Sequence, residues 1–268
     1  MVSEAEPMNY ALITGASKGI GKALALELAR KGYNLLLTAR SADLLKALAI
    51  EIHGEHKVAV HYKACDLTDP AVPAQLAEWC RSNEYDVDIL VNNAGFGLWG
   101  AFDELSAEGQ LEMMNLNMNA LVALTHHFIP ILSKSKTSYV LNVASLASFL
   151  AIPHFSIYAA TKAFVLSFSR SLRFDVANKG VRVSCLCPGA TESEFLQRAG
   201  MESIGAKAKG LYMSAEAVAK IGVRGMLRGK AEIVPGMLNK LAALGIWAAP
   251  KILVETGSAM IYRKRTPN

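Results

Sequence analysis

The chain has 268 residues, 52% of them hydrophobic, and a formal net charge of +5; that supplies a core for one large α/β domain or two small ones and excludes a disordered protein. Four cysteines, Cys65, Cys80, Cys185 and Cys187, lack zinc-type pairing and read as reduced thiols of a cytoplasmic protein, which excludes a disulfide scaffold. No basic run interleaved with aromatics, zinc-finger or RNP pattern points to nucleic acid, and no stretch offers the ~18 uninterrupted apolar residues of a membrane span.

Taken in order, Asn9 to Thr14 is a short apolar run ending at Gly15, and Gly19 to Lys31 has helical spacing through Ile20, Leu24 and Leu28. That is strand, glycine loop, helix. A second strand is expected at Asn34 to Ala39, a helix at Ser41 to His53, and an alternating third strand at Lys57 to Ala64. Asp69-Pro70 reads as the N-cap and first-turn proline of a helix reaching Ser82, and Asp88 to Val91 as a fourth strand. The spacing then predicts one long helix over Glu108 to Leu132, a strand at Ser138 to Val143, a helix carrying Tyr158 and Lys162, and a strand at Val181 to Cys187. On that strand Cys185 and Cys187 are expected to face opposite sides, and no metal site is expected anywhere. A helix at Ser214 to Arg228 and a strand at Ala231 to Val234 complete the pattern. The βαβ repetition implies a single doubly wound Rossmann-type α/β domain, residues 1–235, with a parallel sheet of about seven strands. Residues 236–268 form a separate amphipathic, basic C-terminal extension, packed on the domain or at an interface.

Three places carry chemistry. In Thr14-Gly15-Ala16-Ser17-Lys18-Gly19-Ile20-Gly21 the loop meets a helix N-terminus, where backbone N–H groups and the helix dipole suit a pyrophosphate. At the end of the second strand an NAD enzyme usually places a carboxylate for the ribose 2′-hydroxyl; here Arg40 stands, and with Lys18 it suits a 2′-phosphate, so the expected cofactor is NADP(H). Tyr158 and Lys162 lie four apart on a helix and so share a face, and a cation beside a phenol is expected to favour the phenolate.

The glycine loop, Asn92-Asn93-Ala94-Gly95, Ser145, the Tyr158-x-x-x-Lys162 pair and Pro188-Gly189 resemble, in order and spacing, the short-chain dehydrogenase/reductase family over roughly residues 8 to 235. The resemblance implies that Ser145, Tyr158 and Lys162 are catalytic, with Asn117 steadying a proton relay; a register shift would move that role to Asn115 or Asn119. It further implies that Asp66 and Leu67 hold the adenine, that Asn93, Ala94 and Gly95 close the cofactor cleft, and that Pro188 and Gly189 with Thr191 or Ser193 complete the cofactor site. Hydride transfer between NADPH and a carbonyl, or the reverse from a secondary alcohol, is then the expected reaction. A non-catalytic NADP(H)-binding sensor or scaffold on the same fold is the alternative.

The expected site walls, Phe96 to Trp99, Phe149 to Phe155 and Phe195 to Met213, are mostly apolar and favour a hydrophobic substrate. His154 is a candidate substrate contact, Lys207 and Lys209 are candidates for an acidic handle, and His126-His127 reads as a helix-surface or packed pair. A homo-oligomer, dimer or tetramer, is expected. Charge is divided unevenly: residues 1–134 hold 10 basic and 16 acidic side chains and the remainder 18 and 7. The tail, with Arg263-Lys264-Arg265 near its end, is a candidate lid, subunit contact or peripheral membrane contact.

Overall fold

The computed structural model describes residues 9–192, 195, 199, 200 and 212–262. The apolar runs become seven strands: β1 (Tyr10–Thr14), β2 (Asn34–Ala39), β3 (Val60–Ala64), β4 (Val87–Asn92), β5 (Ser138–Val143), β6 (Val181–Leu186) and β7 (Glu232–Ile233). They pair in parallel in the order β3-β2-β1-β4-β5-β6-β7. Parallel strands need crossovers, and the helices that make them cover both faces, which is why the central strands are apolar throughout.

Alternate residues of each strand enter two cores. Ala11, Ile13, Leu35, Leu37 and Val91 pack against α1 (Gly19–Ala29), α2 (Ala42–His56) and α7 (Ala215–Leu227). Leu12, Leu36, Leu90 and Val140 meet Leu76 of α3 (Val72–Ser82) and Leu124 and Phe128 of α5 (Leu121–Leu132). The chain reverses its direction across the sheet between β1 and β4, so their C-terminal ends open a crevice there. Among the described residues, further helices are α4 (Ala107–Met114), α6 (Ser156–Asp175), α8 (Met237–Ala248) and α9 (Lys251–Tyr262).

Four local expectations change. Asp69 does not cap α3: its Oδ1 accepts from the Ala71 N–H at 2.8 Å in a side-chain turn, and the helix starts at Val72 with Pro73 in its first turn. α2 runs to His56 and is stopped by Lys57 in the left-handed region, φ 58°, so β3 begins only at Val60. The long helix is interrupted by a π-helical turn, Asn115–Ala120, between α4 and α5. Cys185 and Cys187 share one side of the sheet, Sγ to Sγ 3.8 Å, because residues two apart on a strand point the same way.

Phe128 is fully buried and central to the second core. Phe128→Ala should lower the unfolding free energy in urea by about 3–5 kcal/mol. Phe174→Ala, at an exposed position, should change it by less than about 0.5 kcal/mol.

Candidate active site

The loop between β1 and α1 is shaped by close contacts. Gly15 has φ +64°, and a Cβ there would lie 2.9 Å from the Ala94 Cα; a Cβ at Gly21 would lie 2.1 Å from the Gly15 carbonyl oxygen. Helix α1 can therefore start directly on the loop. It opens without a side-chain cap and without an acidic residue in its first turn, so its first N–H groups and the positive end of its dipole face the crevice. Ser17 and Lys18 lie in this loop, with Gly19 and Ile20 in the first turn of α1. Thr14, buried at the end of β1, ties the loop to the neighbouring strand: its Oγ1 accepts from the N–H groups of Asn93 and Ala94, each at 3.0 Å. Asn93 answers by donating from Nδ2 to the Thr14 carbonyl at 2.9 Å.

Along the crevice, Arg40 is exposed just after β2 and carries no carboxylate neighbour in sequence. After β3, the Asp66 carboxylate accepts from the Thr68 N–H and hydroxyl, and Leu67 packs into the second core. Gly95 ends the segment that leaves β4. Pro188 follows β6 and accepts from the Leu146 N–H at 2.7 Å, joining that loop to the short 3₁₀ turn Leu146–Phe149. Thr191 donates from Oγ1 to the Gly189 carbonyl at 3.0 Å; Ser193, Lys207, Lys209 and Arg263 to Arg265 lie outside the described residues.

Ser145 and α6 bring the reactive groups together. Ser145 caps the 3₁₀ turn, its Oγ accepting from the Ala147 N–H at 3.1 Å, and it lowers the titration of the Tyr158 hydroxyl against the effect of burial. Lys162 lies one turn further along α6, only 6% exposed, and its Nζ donates to the Val143 carbonyl at the end of β5. Burial pushes Tyr158 up to about 12, against the lowering by Ser145, and pulls Lys162 down to about 8. This corrects the expectation that Lys162 lowers the phenol: desolvation of the pair outweighs the neighbouring charge.

Asn117 is the asparagine of the three that faces this site. It is 1% exposed, its Oδ1 accepts from the Phe96 N–H at 3.1 Å, and its Nδ2 donates to the Phe96 carbonyl at 3.0 Å and to Thr161 Oγ1 at 3.1 Å. Asn115 turns to the Thr68 carbonyl and Asn119 back to Asn115. Thr161 and Thr14 are positioning residues that motif reading passed over. Thr161 could have been found, since its place on α6, three residues after Tyr158, puts both on one face.

Above Tyr158 the walls are aromatic. Phe155 stacks on the Tyr158 ring at 4.2 Å and Phe195 approaches it at 5.4 Å, with Trp99 5.7 Å from Phe155. His154 sits at φ +62° on the turn into α6, its ring 5.7 Å from Trp99 and its carbonyl accepting from the Gly100 N–H. His126 and His127 pack against each other on α5, and among the described residues no group of three His, Cys, Asp or Glu side chains could hold a metal ion.

Similarity to known proteins converges on one family. The family model for short chain dehydrogenases matches residues 9–204. Serine 3-dehydrogenase of Agrobacterium fabrum is 38% identical over 185 residues, 69% of this chain and 72% of that protein. A short-chain dehydrogenase from Sphingobium yanoikuyae, solved in complex with NADPH, superposes with a TM-score of 0.81 at 32% identity, covering 97% of this chain and 98% of the other. The bulky-bulky ketone specific alcohol dehydrogenase from Comamonas testosteroni does so at 0.76 with 28% identity, covering 91% and 95%.

The buried lysine makes a measurable prediction. An unfolded lysine titrates near 10.5 and Lys162 in the fold near 8, so between those values the unfolded chain holds a proton that the folded one lacks. This group therefore makes folding more favourable as pH rises through that window. The stability of wild type minus that of Lys162→Met, from urea titrations, should rise by on the order of 3 kcal/mol between pH 8 and 10.5. A flat difference would mean that the ammonium is not desolvated.

Proposed function

The chain belongs to the short-chain dehydrogenase/reductase family and is an oxidoreductase acting on alcohol or carbonyl groups; within that class we propose that it uses NADP(H) to reduce a hydrophobic ketone or aldehyde, with Tyr158 as the proton donor. The observation that carries this reading is the buried pair Tyr158 and Lys162, the lysine Nζ 5.7 Å from the Tyr158 ring, with Ser145 acting on the phenol, under an aromatic wall.

The donor set fits the cofactor. The uncapped N-terminus of α1 and the loop Gly15 to Gly21 would receive the pyrophosphate, Arg40 and Lys18 the 2′-phosphate, and Asp66 and Leu67 the adenine. Asn93, Ala94 and Gly95 would line the cleft together with Pro188, Gly189 and Thr191. Lys162 would hold the nicotinamide ribose hydroxyls. The NADPH complex of the Sphingobium relative supports the same assignment. When bound, the cofactor supplies the hydride.

The chain's own residues manage the proton. Because burial keeps Tyr158 protonated at neutral pH, its hydroxyl can donate to a carbonyl oxygen as negative charge develops there. Ser145 stabilises that charge by donating a hydrogen bond to the same oxygen. Asn117 and Thr161 hold α6 at the depth that this requires, and Asn117 is the candidate for steadying the water that returns the proton. The aromatic wall excludes water and disfavours a polar, uncompensated substrate. A non-catalytic nucleotide sensor would have no use for a serine, tyrosine and lysine gathered beneath that wall.

Against a panel of hydrophobic ketones and aldehydes, followed by NADPH absorbance, Tyr158→Phe should lower kcat by about 10²–10⁴-fold while NADPH affinity, read by fluorescence titration, stays within about twofold. Undiminished turnover would remove Tyr158 from the mechanism. Arg40→Ala should raise KM for NADPH by about 10–100-fold, the loss of one hydrogen bond to a charged group, and leave KM for NADH unchanged; a wild-type preference for NADH would overturn the cofactor assignment.

A further inference from the structure

The C-terminal helices carry a surface that the fold leaves uncovered. On α8, Asn239, Ala243 and Ile246 turn towards the domain, at the i, i+4, i+7 spacing of one helix face. On the opposite side, Met237, Leu238 and Leu241 are between 57% and 70% exposed, and on the flank Leu244 and Trp247, 60% and 81% exposed, border with Lys240 a cleft against Phe149, Arg170 and Glu232. Ile252, Leu253 and Met260 on α9 are exposed to a similar degree. Single exposed apolar residues are ordinary; a concentration of large ones on two consecutive helices marks a contact surface.

The charge of this segment of sequence says what it fits. From Gly236 to the end the sequence holds five basic side chains, Lys240, Lys251, Arg263, Lys264 and Arg265, and one acidic one, Glu255. Lys240 lies on α8 beside Leu241 and Leu244, and Lys251 opens α9 directly before Ile252. A two-fold contact between copies through this segment would bring together two stretches of net charge +4, five basic less one acidic. Each helix has 12 residues, about 18 Å long, against the ~30 Å of a bilayer core. Among the described residues no helix is long and apolar enough to cross a membrane. What remains is a helix pair that lies on a surface, with apolar side chains below, cations at headgroup level and a tryptophan at the boundary.

We propose that α8 and α9 form a peripheral docking surface for an anionic lipid bilayer. Apolar insertion and attraction to the headgroups act together, so neither should suffice alone. The inference rests on the tail and is independent of the reaction.

The test is flotation of the full chain with vesicles of phosphatidylcholine alone and of phosphatidylcholine containing phosphatidylserine, with light scattering on the free protein. The chain should float with the phosphatidylserine vesicles, fall by about tenfold or more in bound fraction without the anionic lipid, and be released by high salt. Trp247→Glu and Leu241→Glu, at exposed positions where folding is undisturbed by circular dichroism, should abolish flotation. Lys240→Glu with Lys251→Glu should weaken it by about fivefold or more per site changed. Equal distribution of wild type and variants would overturn the proposal. So would a dimer in solution that Leu241→Glu dissociates while the wild type fails to float, since a second copy would then be the occupant.

Discussion

The site depends on holding one cation out of water. Lys162 is buried beside Tyr158, and a charge in that position is costly unless geometry fixes a partner for it. The partner is the Val143 carbonyl at the C-terminal end of β5. Helix α6 must therefore sit at one depth against the sheet, and two sets of buried polar contacts set that depth. Asn117 clamps the Phe96 backbone to Thr161. Beneath it, Asn92 donates to Thr125 and Asn142, and Asn142 donates to Ser169 on α6, linking β4, β5, α5 and α6 through the core. Buried amides whose N–H groups are paired in this way specify one register, since any slip would leave those donors unpaired.

How much of this was legible from the amino-acid sequence follows from the range of the forces involved. Seven parallel strands with helices between them follow from local periodicity, because both sheet faces select for apolar residues. The glycine loop was legible for the same reason: the close approach of Gly21 to the Gly15 carbonyl excludes any side chain. The π turn at Asn115–Ala120 was not, since its hydrophobic spacing resembles that of an α-helix and only the tertiary pull of Phe96 and Thr161 on Asn117 distinguishes it. Capping by Asp69 failed by two residues because its carboxylate found the nearer Ala71 N–H.

The proton chemistry shows the same limit. Spacing correctly puts Tyr158 and Lys162 on one face of α6, yet the direction in which the tyrosine shifts is set by desolvation, a property of the apolar cluster around it that includes Phe96, Phe155 and Phe195. Charge proximity can be read from i, i+4 spacing, whereas dielectric environment cannot. The cysteine pair is a different case, an error of parity: Cys185 and Cys187 are two apart, so the pleat sends both thiols to one side.

The tail packs against the 3₁₀ turn that follows Ser145, and one of its side chains reaches the loop after β6. Asn239 of α8 donates to the Pro235 carbonyl at 2.8 Å and fills the space beside Gly189, where a Cβ would lie 2.6 Å from the amide. The outer face of α8 is thus fixed in orientation relative to the loop after β6, whose Pro188 carbonyl holds the Leu146 N–H beside Ser145. On the proposed docking, that connection would hold the pocket near the bilayer surface. A hydrophobic carbonyl is concentrated there by the same transfer free energy that drives apolar side chains into a core. The uncovered helix face and the water-excluding aromatic wall would then serve one substrate class, with Asn239 and Gly189 as the mechanical link between them.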